Sequence, residues 1–156
     1  MSQVTVGKEI PDFTAASTAG DITKASLIGQ WTVLYFYPKD HTPGCTTQAQ
    51  GFRDLHEEFQ KAGAQIIGVS RDSLKTHGNF IEKQSLPFPL IADPDETLCN
   101  LFGVMKMKNM YGKQVRGIER STFLIDPKAV LVHEWRGLRV PGHVEAVLET
   151  LRQSAV

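Results

Sequence analysis

The stretch Tyr35-Phe-Tyr-Pro-Lys-Asp-His-Thr-Pro-Gly-Cys-Thr-Thr-Gln-Ala-Gln-Gly-Phe52 leaves an apolar, aromatic segment, passes through Pro, Asp and Gly, and enters a sequence with helical spacing. The segment it leaves, Trp31-Thr-Val-Leu-Tyr-Phe-Tyr37, is β-branched and aromatic without alternation, which suits a central strand covered on both faces. Gln65-Ile-Ile-Gly-Val-Ser70 repeats that pattern. Between the two, Phe52, Leu55, Phe59 and Ala62 recur at helical intervals, predicting a helix of about four turns. Strand, helix and strand together make a βαβ unit, whose crossover is right-handed and whose strands are parallel.

Working outward, Ser73 to Gln84 reads as a helix, Phe88 to Ala92 as a short strand and Glu96 to Phe102 as another helix. Ser121-Thr-Phe-Leu-Ile125 and Val130-Leu-Val-His-Glu-Trp135 flank Asp126-Pro-Lys as a hairpin. The chain closes on an amphipathic helix with Val144, Val147, Leu148 and Leu151 on one side. Strands paired both in parallel and as a hairpin, with helices on both faces, predict an α/β fold with a mixed central sheet. Without repeats, low-complexity tracts or linkers, residues 1–156 read as one domain.

Lys+Arg and Asp+Glu both number 17, so the formal charge is zero and nothing marks a nucleic-acid or membrane surface. Small diffusing molecules are the expected partners. The first residues carry neither a basic n-region nor an apolar h-region, and no later run is long enough to span a bilayer, which points to the cytoplasm. There, two distant cysteines are read as individual thiols rather than as a structural disulfide.

One of the two sits at the joint of the opening stretch. Pro43-Gly44 breaks the chain after the strand, which places Cys45 in the first turn of the following helix. Unpaired N–H groups and the positive end of the helix dipole favour an anion there, and cysteines so placed have pKa values lowered from about 8.5 to roughly 3.5–7.5. Position alone leaves two readings open, a reactive thiolate and a small buried hydrophobe. His41 raises a Cys–His hydrolase, but no protease context surrounds it. His56, His77, His133 and His143 show no metal-ligand spacing and there is no Cys-x-x-Cys, so neither a metal nor a cofactor is expected.

Pro38, Thr42 and Cys45 reproduce the Pro-x-x-x-Thr-x-x-Cys signature of peroxiredoxins, and the longer string resembles the peroxiredoxin Q branch, also called bacterioferritin comigratory protein. The likeness extends through Gly7, Pro11-Asp-Phe13, Ala92-Asp-Pro-Asp95 and Arg120-Ser-Thr-Phe-Leu-Ile-Asp126. It implies a thioredoxin-like fold and a thiol peroxidase in which Cys45 attacks the O–O bond of hydrogen peroxide or an organic hydroperoxide, with Arg120 as the active-site arginine. A monomer is what the family favours, with a dimer as the alternative. The chemistry of the residues agrees. Thr42 can donate and accept a hydrogen bond to hold a peroxide in line, Arg120 offers a fixed fork of donors, and Pro38, lacking an N–H, can wall off the sulfur.

A low thiol pKa alone would not make a fast catalyst. Lowering it from about 8.5 to about 5.5 raises the thiolate fraction at pH 7 ~30-fold, while a Brønsted slope of about 0.4–0.5 costs ~15- to 30-fold in nucleophilicity. The rate must come from orienting the peroxide and stabilising the departing oxygen.

The sequence departs from its family at the resolving step. Many peroxiredoxin Q members carry a second cysteine five positions after the first, where this chain has Gln50, or on the next helix, where it has Ile81. Many also have Glu at the position of Gln48. Cys99 remains, as a buried structural thiol or as a resolver. The expectation is a one-cysteine peroxidase reduced by an external thiol such as glutathione, glutaredoxin or thioredoxin. A peroxide sensor or thiol-binding module oxidised once per chain is the alternative, as is a two-cysteine enzyme using Cys99. The Lys-rich segment bearing Met105, Met107, Met110, Tyr111 and Gly112 reads as an exposed loop anchored by apolar residues, or as a loop edging the peroxide pocket.

Overall fold

In the computed structural model, which describes residues 2–155, seven strands form one sheet. They are β1 (Thr14–Ser17), β2 (Gly20–Thr23), β3 (Trp31–Phe36), β4 (Ala64–Ser70), β5 (Leu90–Ala92), β8 (Ser121–Ile125) and β9 (Leu131–Arg136). Their spatial order is β2-β1-β5-β4-β3-β8-β9. β3 is central, pairing in parallel with β4, Val33 opposite Ile66, and antiparallel with β8, Phe36 opposite Ser121. A separate two-stranded hairpin, β6 (Met105–Met110) and β7 (Lys113–Ile118), precedes β8.

Alternation along β3 divides the interior in two. Leu34 and Phe36 face one layer with Phe102, Phe123, Leu98 and Cys99. Val33 and Tyr35 face the other with Cys45, Phe52, Phe59, Phe80 and Leu148. Helices α1 (Pro43–Asp54), α2 (His56–Lys61), α3 (Leu74–Gln84) and α5 (His143–Ser154) cover this second face, and the short α4 (Thr97–Leu101) covers the first.

The predicted strands and the mixed sheet are present, as are α3, capped by Ser73 Oγ accepting from the Thr76 N–H, and α5 with its apolar face buried. Three local expectations are corrected. The helix between β3 and β4 is two helices, bent at Leu55 (φ −103°, ψ 9°), which lets Phe52 and Phe59 both turn fully into the core with ring centroids 5.8 Å apart. Residues 14–23 form an unpredicted hairpin, since their small side chains carry little strand signal. The Lys-rich segment is not a loop but the β6–β7 hairpin, closed by Tyr111-Gly112, both at positive φ (54° and 79°) as a two-residue primed turn requires.

Candidate active site

Cys45 occupies the third position of α1, after Thr42 at the N-cap, Pro43 and Gly44. Pro43 brings no N–H, and its fixed φ suits the first helical position. Thr46 N–H already bonds the Thr42 carbonyl at 2.9 Å, which leaves the Gly44 and Cys45 N–H groups as the orphan donors of the helix start. Cys45 is 2% exposed, at the carboxyl end of β3, where open α/β sheets place their sites.

β8 delivers the arginine. Because Ser121 pairs with Phe36, Arg120 lies just past the end of β3 and next to the start of α1, although 75 residues separate it from Cys45. Its guanidinium forks, with Nη2 donating to Cys45 Sγ at 3.5 Å and Nη1 to Gln48 Oε1 at 2.6 Å. Gly44 permits this approach, since a Cβ there would meet Nη2 at 3.3 Å. Gln48 lies one turn after Cys45 on the same helix face and is fully buried.

Thr42 does not cap its helix. Its hydroxyl donates instead to the Lys39 carbonyl at 2.8 Å, leaving the oxygen lone pairs as acceptors. The residue expected to donate and accept is thereby committed to accepting. Pro38, half-buried, follows the end of β3 and opens the loop that carries Thr42.

That loop is pinned from below by a buried network. Asp40 Oδ1 accepts from Tyr37 Oη at 2.6 Å, Asp40 Oδ2 lies 2.6 Å from His77 Nδ1, and the Asp40 N–H donates to Asp72 Oδ2 at 2.9 Å. His77 Nε2 donates to the Ile91 carbonyl at 2.9 Å and Ser70 Oγ to Asp72 at 2.6 Å. Since Nε2 must carry a hydrogen for Ile91, Asp40 and His77 share one further proton between them. Asp40, Asp72 and His77 present ligand atoms within 4.8 Å of one another, but each is engaged in these hydrogen bonds. Neither His77 nor Asp40 carried a signal of this in the sequence beyond its residue type.

Two further residues near the sulfur went unread. Burial, and then the Cys45 sulfur, push the Tyr35 phenol well above its ordinary range. Among the described residues, Tyr35 Oη and Gln48 Nε2 are the buried side-chain polar atoms without a partner. An unpaired buried donor costs about 1–3 kcal/mol, and this cost is concentrated around Cys45. Lys108, on β6, donates to the Ile118 carbonyl, and burial followed by the Arg120 charge lowers its pKa while Cys45 acts in the opposite sense.

Cys99 is elsewhere. It packs with Leu34 and Phe36, across the sheet from Cys45, and is fully buried. Burial pushes its thiol far up and Asp93 adds to the effect; that carboxylate accepts from the Leu98 and Cys99 N–H groups at 3.1 and 2.7 Å, capping α4. Both cysteines are free thiols. An apolar groove of about 530 Å³, bordered by Pro43, Gly44, Val140 and Pro141, runs beside the first turn of α1. A second hollow of about 490 Å³, near Gly29 and Phe88, lies away from the sulfur and its partners.

The AhpC/TSA family model matches residues 6–134. The chain belongs to this family. The chain is 59% identical over 127 residues to a peroxiredoxin Bcp of Xanthomonas campestris pv. campestris, covering 81% of this chain and 79% of that one. With a peroxiredoxin Bcp of Bacillus subtilis it shares 49% over 150 residues, 96% of each chain. Among solved structures, a peroxiredoxin Q mutant from Xylella fastidiosa superimposes with a TM-score of 0.93 at 42% identity over the whole of both chains. A bacterioferritin comigratory protein of X. campestris, seen as a trapped intermediate/ligand complex in connection with alkyl peroxide reduction, gives 0.90 at 50% identity, covering 97% of this chain and 100% of that one. This peroxiredoxin is therefore of the Q branch, with the thioredoxin-like fold its motif implied. It is a thiol-dependent peroxidase that reduces a peroxide at the expense of a thiol. No helix among its described residues is long and apolar enough to cross a membrane.

Proposed function

We propose that Cys45 is the peroxidatic thiol of a one-cysteine peroxidase, and the observation that carries this reading is the fork of Arg120 between Cys45 Sγ and Gln48 Oε1. The thiolate attacks the nearer oxygen of ROOH along the O–O axis, an S–O bond forms, and the departing RO⁻ takes a proton to leave as ROH. Sulfur gains the oxygen as a sulfenic acid. Arg120 and the Gly44 and Cys45 N–H groups face the negative charge that moves from sulfur to the leaving oxygen. Thr42, with its own hydrogen given to Lys39, accepts from the O–H of the peroxide and so fixes which oxygen is struck. Pro38 closes the loop side. Hydrogen peroxide and organic hydroperoxides both meet these requirements, and the apolar groove beside Pro43 accommodates the organic part of the latter.

The sulfenic acid is discharged by an external thiol. Gln50 and Ile81 stand at the usual resolving positions, and Gln50 Nε2 instead donates to Gln84 Oε1 at 2.9 Å, linking α1 to α3 by a neutral hydrogen bond. Cys99 is separated from Cys45 by the sheet. Residues 1–156 act as one domain in this scheme. Peroxide consumption with excess dithiol tests it: Cys45→Ser is inactive and Cys99→Ser retains wild-type turnover. An active Cys45→Ser protein overturns the assignment, and a single turnover by the wild type makes the chain a sensor instead.

A further inference from the structure

The β6–β7 hairpin is built unlike the rest of the molecule. It carries Lys106, Lys108, Lys113 and Arg116 and no acidic residue, in a chain whose total formal charge is zero, so the rest of the molecule is net acidic. Four of the seven large hydrophobic side chains exposed among the described residues are also here: Met107, Met110, Tyr111 and Val115. Tyr111 is 100% exposed at a positive φ that Asn or Gly would occupy at lower cost, so the fold itself gains nothing from an aromatic ring at that turn.

The pairing register shows which way these groups point. Lys108 pairs with Val115, Met110 with Lys113 and Lys106 with Gly117, so all five side chains share one face of the hairpin. On that face Lys108 donates to the Ile118 carbonyl, two residues before Arg120. The root is fixed: Ile118 is buried, Glu119 N–H bonds the Val104 carbonyl at 2.7 Å, and Arg116 and Arg71 both hold Glu96. Arg120 follows two residues later. A cationic and apolar face thus stands on the hairpin whose root leads directly into Arg120.

We propose that this face, centred on Lys106, Met110, Lys113 and Val115, is the docking surface for an acidic protein dithiol that reduces Cys45. The proposal rests on the external-thiol reading above. Its chemistry is Cys45–SOH + R(SH)₂ → Cys45–SH + R(S–S) + H₂O. One partner thiolate attacks the Cys45 sulfur and expels the oxygen as water, and the second partner thiol then breaks the mixed disulfide. Charge of one sign on the hairpin and the other on the partner steers the encounter, and apolar contacts around Met110 and Val115 hold it.

The experiment oxidises Cys45 with one equivalent of peroxide. It then follows the recovery of its thiol by rapid mixing with an acidic bacterial thioredoxin, kept reduced by its reductase and NADPH, and separately with dithiothreitol. In Lys106→Glu/Lys113→Glu the thioredoxin rate is expected to fall about 10-fold or more at low salt, with the gap closing at high salt. Met110→Ser/Val115→Ser lowers the same rate at all salt concentrations, while the dithiothreitol rate and the oxidation rate by peroxide stay within twofold of wild type in both variants. Unchanged thioredoxin rates overturn the docking surface and leave the Cys45 chemistry standing. So does wild-type self-association, or binding to phosphatidylglycerol vesicles, that the same substitutions abolish while thioredoxin rates persist. A Cys45–Cys99 disulfide present before reductant is added overturns instead the external-thiol reading on which the proposal stands.

Discussion

At the scale of single residues, the proposed chemistry has Thr42 and Arg120 dividing the work around one sulfur. Thr42→Val keeps the volume and removes the acceptor, so the second-order rate with peroxide is expected to fall about 10²–10³-fold, the cost of one lost transition-state contact. Arg120→Met removes both arms of the fork and costs at least as much. Stopped-flow oxidation of the two variants checks this, and unaltered rates in both would refute the orientation argument. The helix-start position of Cys45 was legible because Pro43-Gly44 breaks the chain after the strand, but its choice as the reactive thiol, like that of Thr42, came from the family signature. Arg120 was legible only through family likeness, since a contact across 75 residues depends on the β3–β8 register. The direction of the Thr42 hydroxyl was not legible, being set by a loop in which His41 adopts φ 64°.

Between elements, two buried histidines act as joints. His77 ties α3 to the Cys45 loop and to β5 through Asp40 and Ile91. His77→Leu would strand the Asp40 carboxylate in the interior, and breaking such a pair costs about 3–5 kcal/mol. Urea unfolding measures that loss, and peroxide turnover should decline with it as Thr42 loses its support. His143 starts α5, shares a 2.8 Å hydrogen bond with Thr122 of β8, and is pushed down to about 4 by burial and then by Arg120. Its folded pKa lies below the unfolded value of about 6.5, so between those limits the unfolded chain binds the extra proton and stability drops as pH falls. The expected loss from pH 6.5 to 4 is about 2–3 kcal/mol, absent above that window and flattened in His143→Gln. Thermal melts across the range decide it. β3, β4 and α5 were readable because burial on two faces, or on one stripe, imposes unbroken or periodic apolarity. The bend at Leu55 was not, because Phe52, Leu55, Phe59 and Ala62 keep helical spacing straight through it. β6 was missed although Met105-Lys-Met-Lys alternates, because its exposed lysines and a Tyr-Gly turn imitate a loop.

Across the whole molecule, the sheet separates two thiols for which the proposal expects opposite fates. One equivalent of peroxide is expected to add a single oxygen at Cys45, trappable by dimedone, while peptide mapping after alkylation finds Cys99 unmodified and excess peroxide drives Cys45 onward to the sulfinic acid. A Cys45–Cys99 peptide as the main product would contradict this. The mixed α/β architecture was legible from the order of strands and helices. The side of the sheet that α4 covers was not, because helical spacing around Leu98, Cys99 and Phe102 identifies a buried stripe without saying beneath which face. The partition has a practical use as well. Every chain carries a sealed thiol as well as the proposed reactive one, so after unfolding the ratio of label on Cys45 to label on Cys99 reports the oxidised fraction by internal calibration, whatever the protein concentration, even in a crude cell extract.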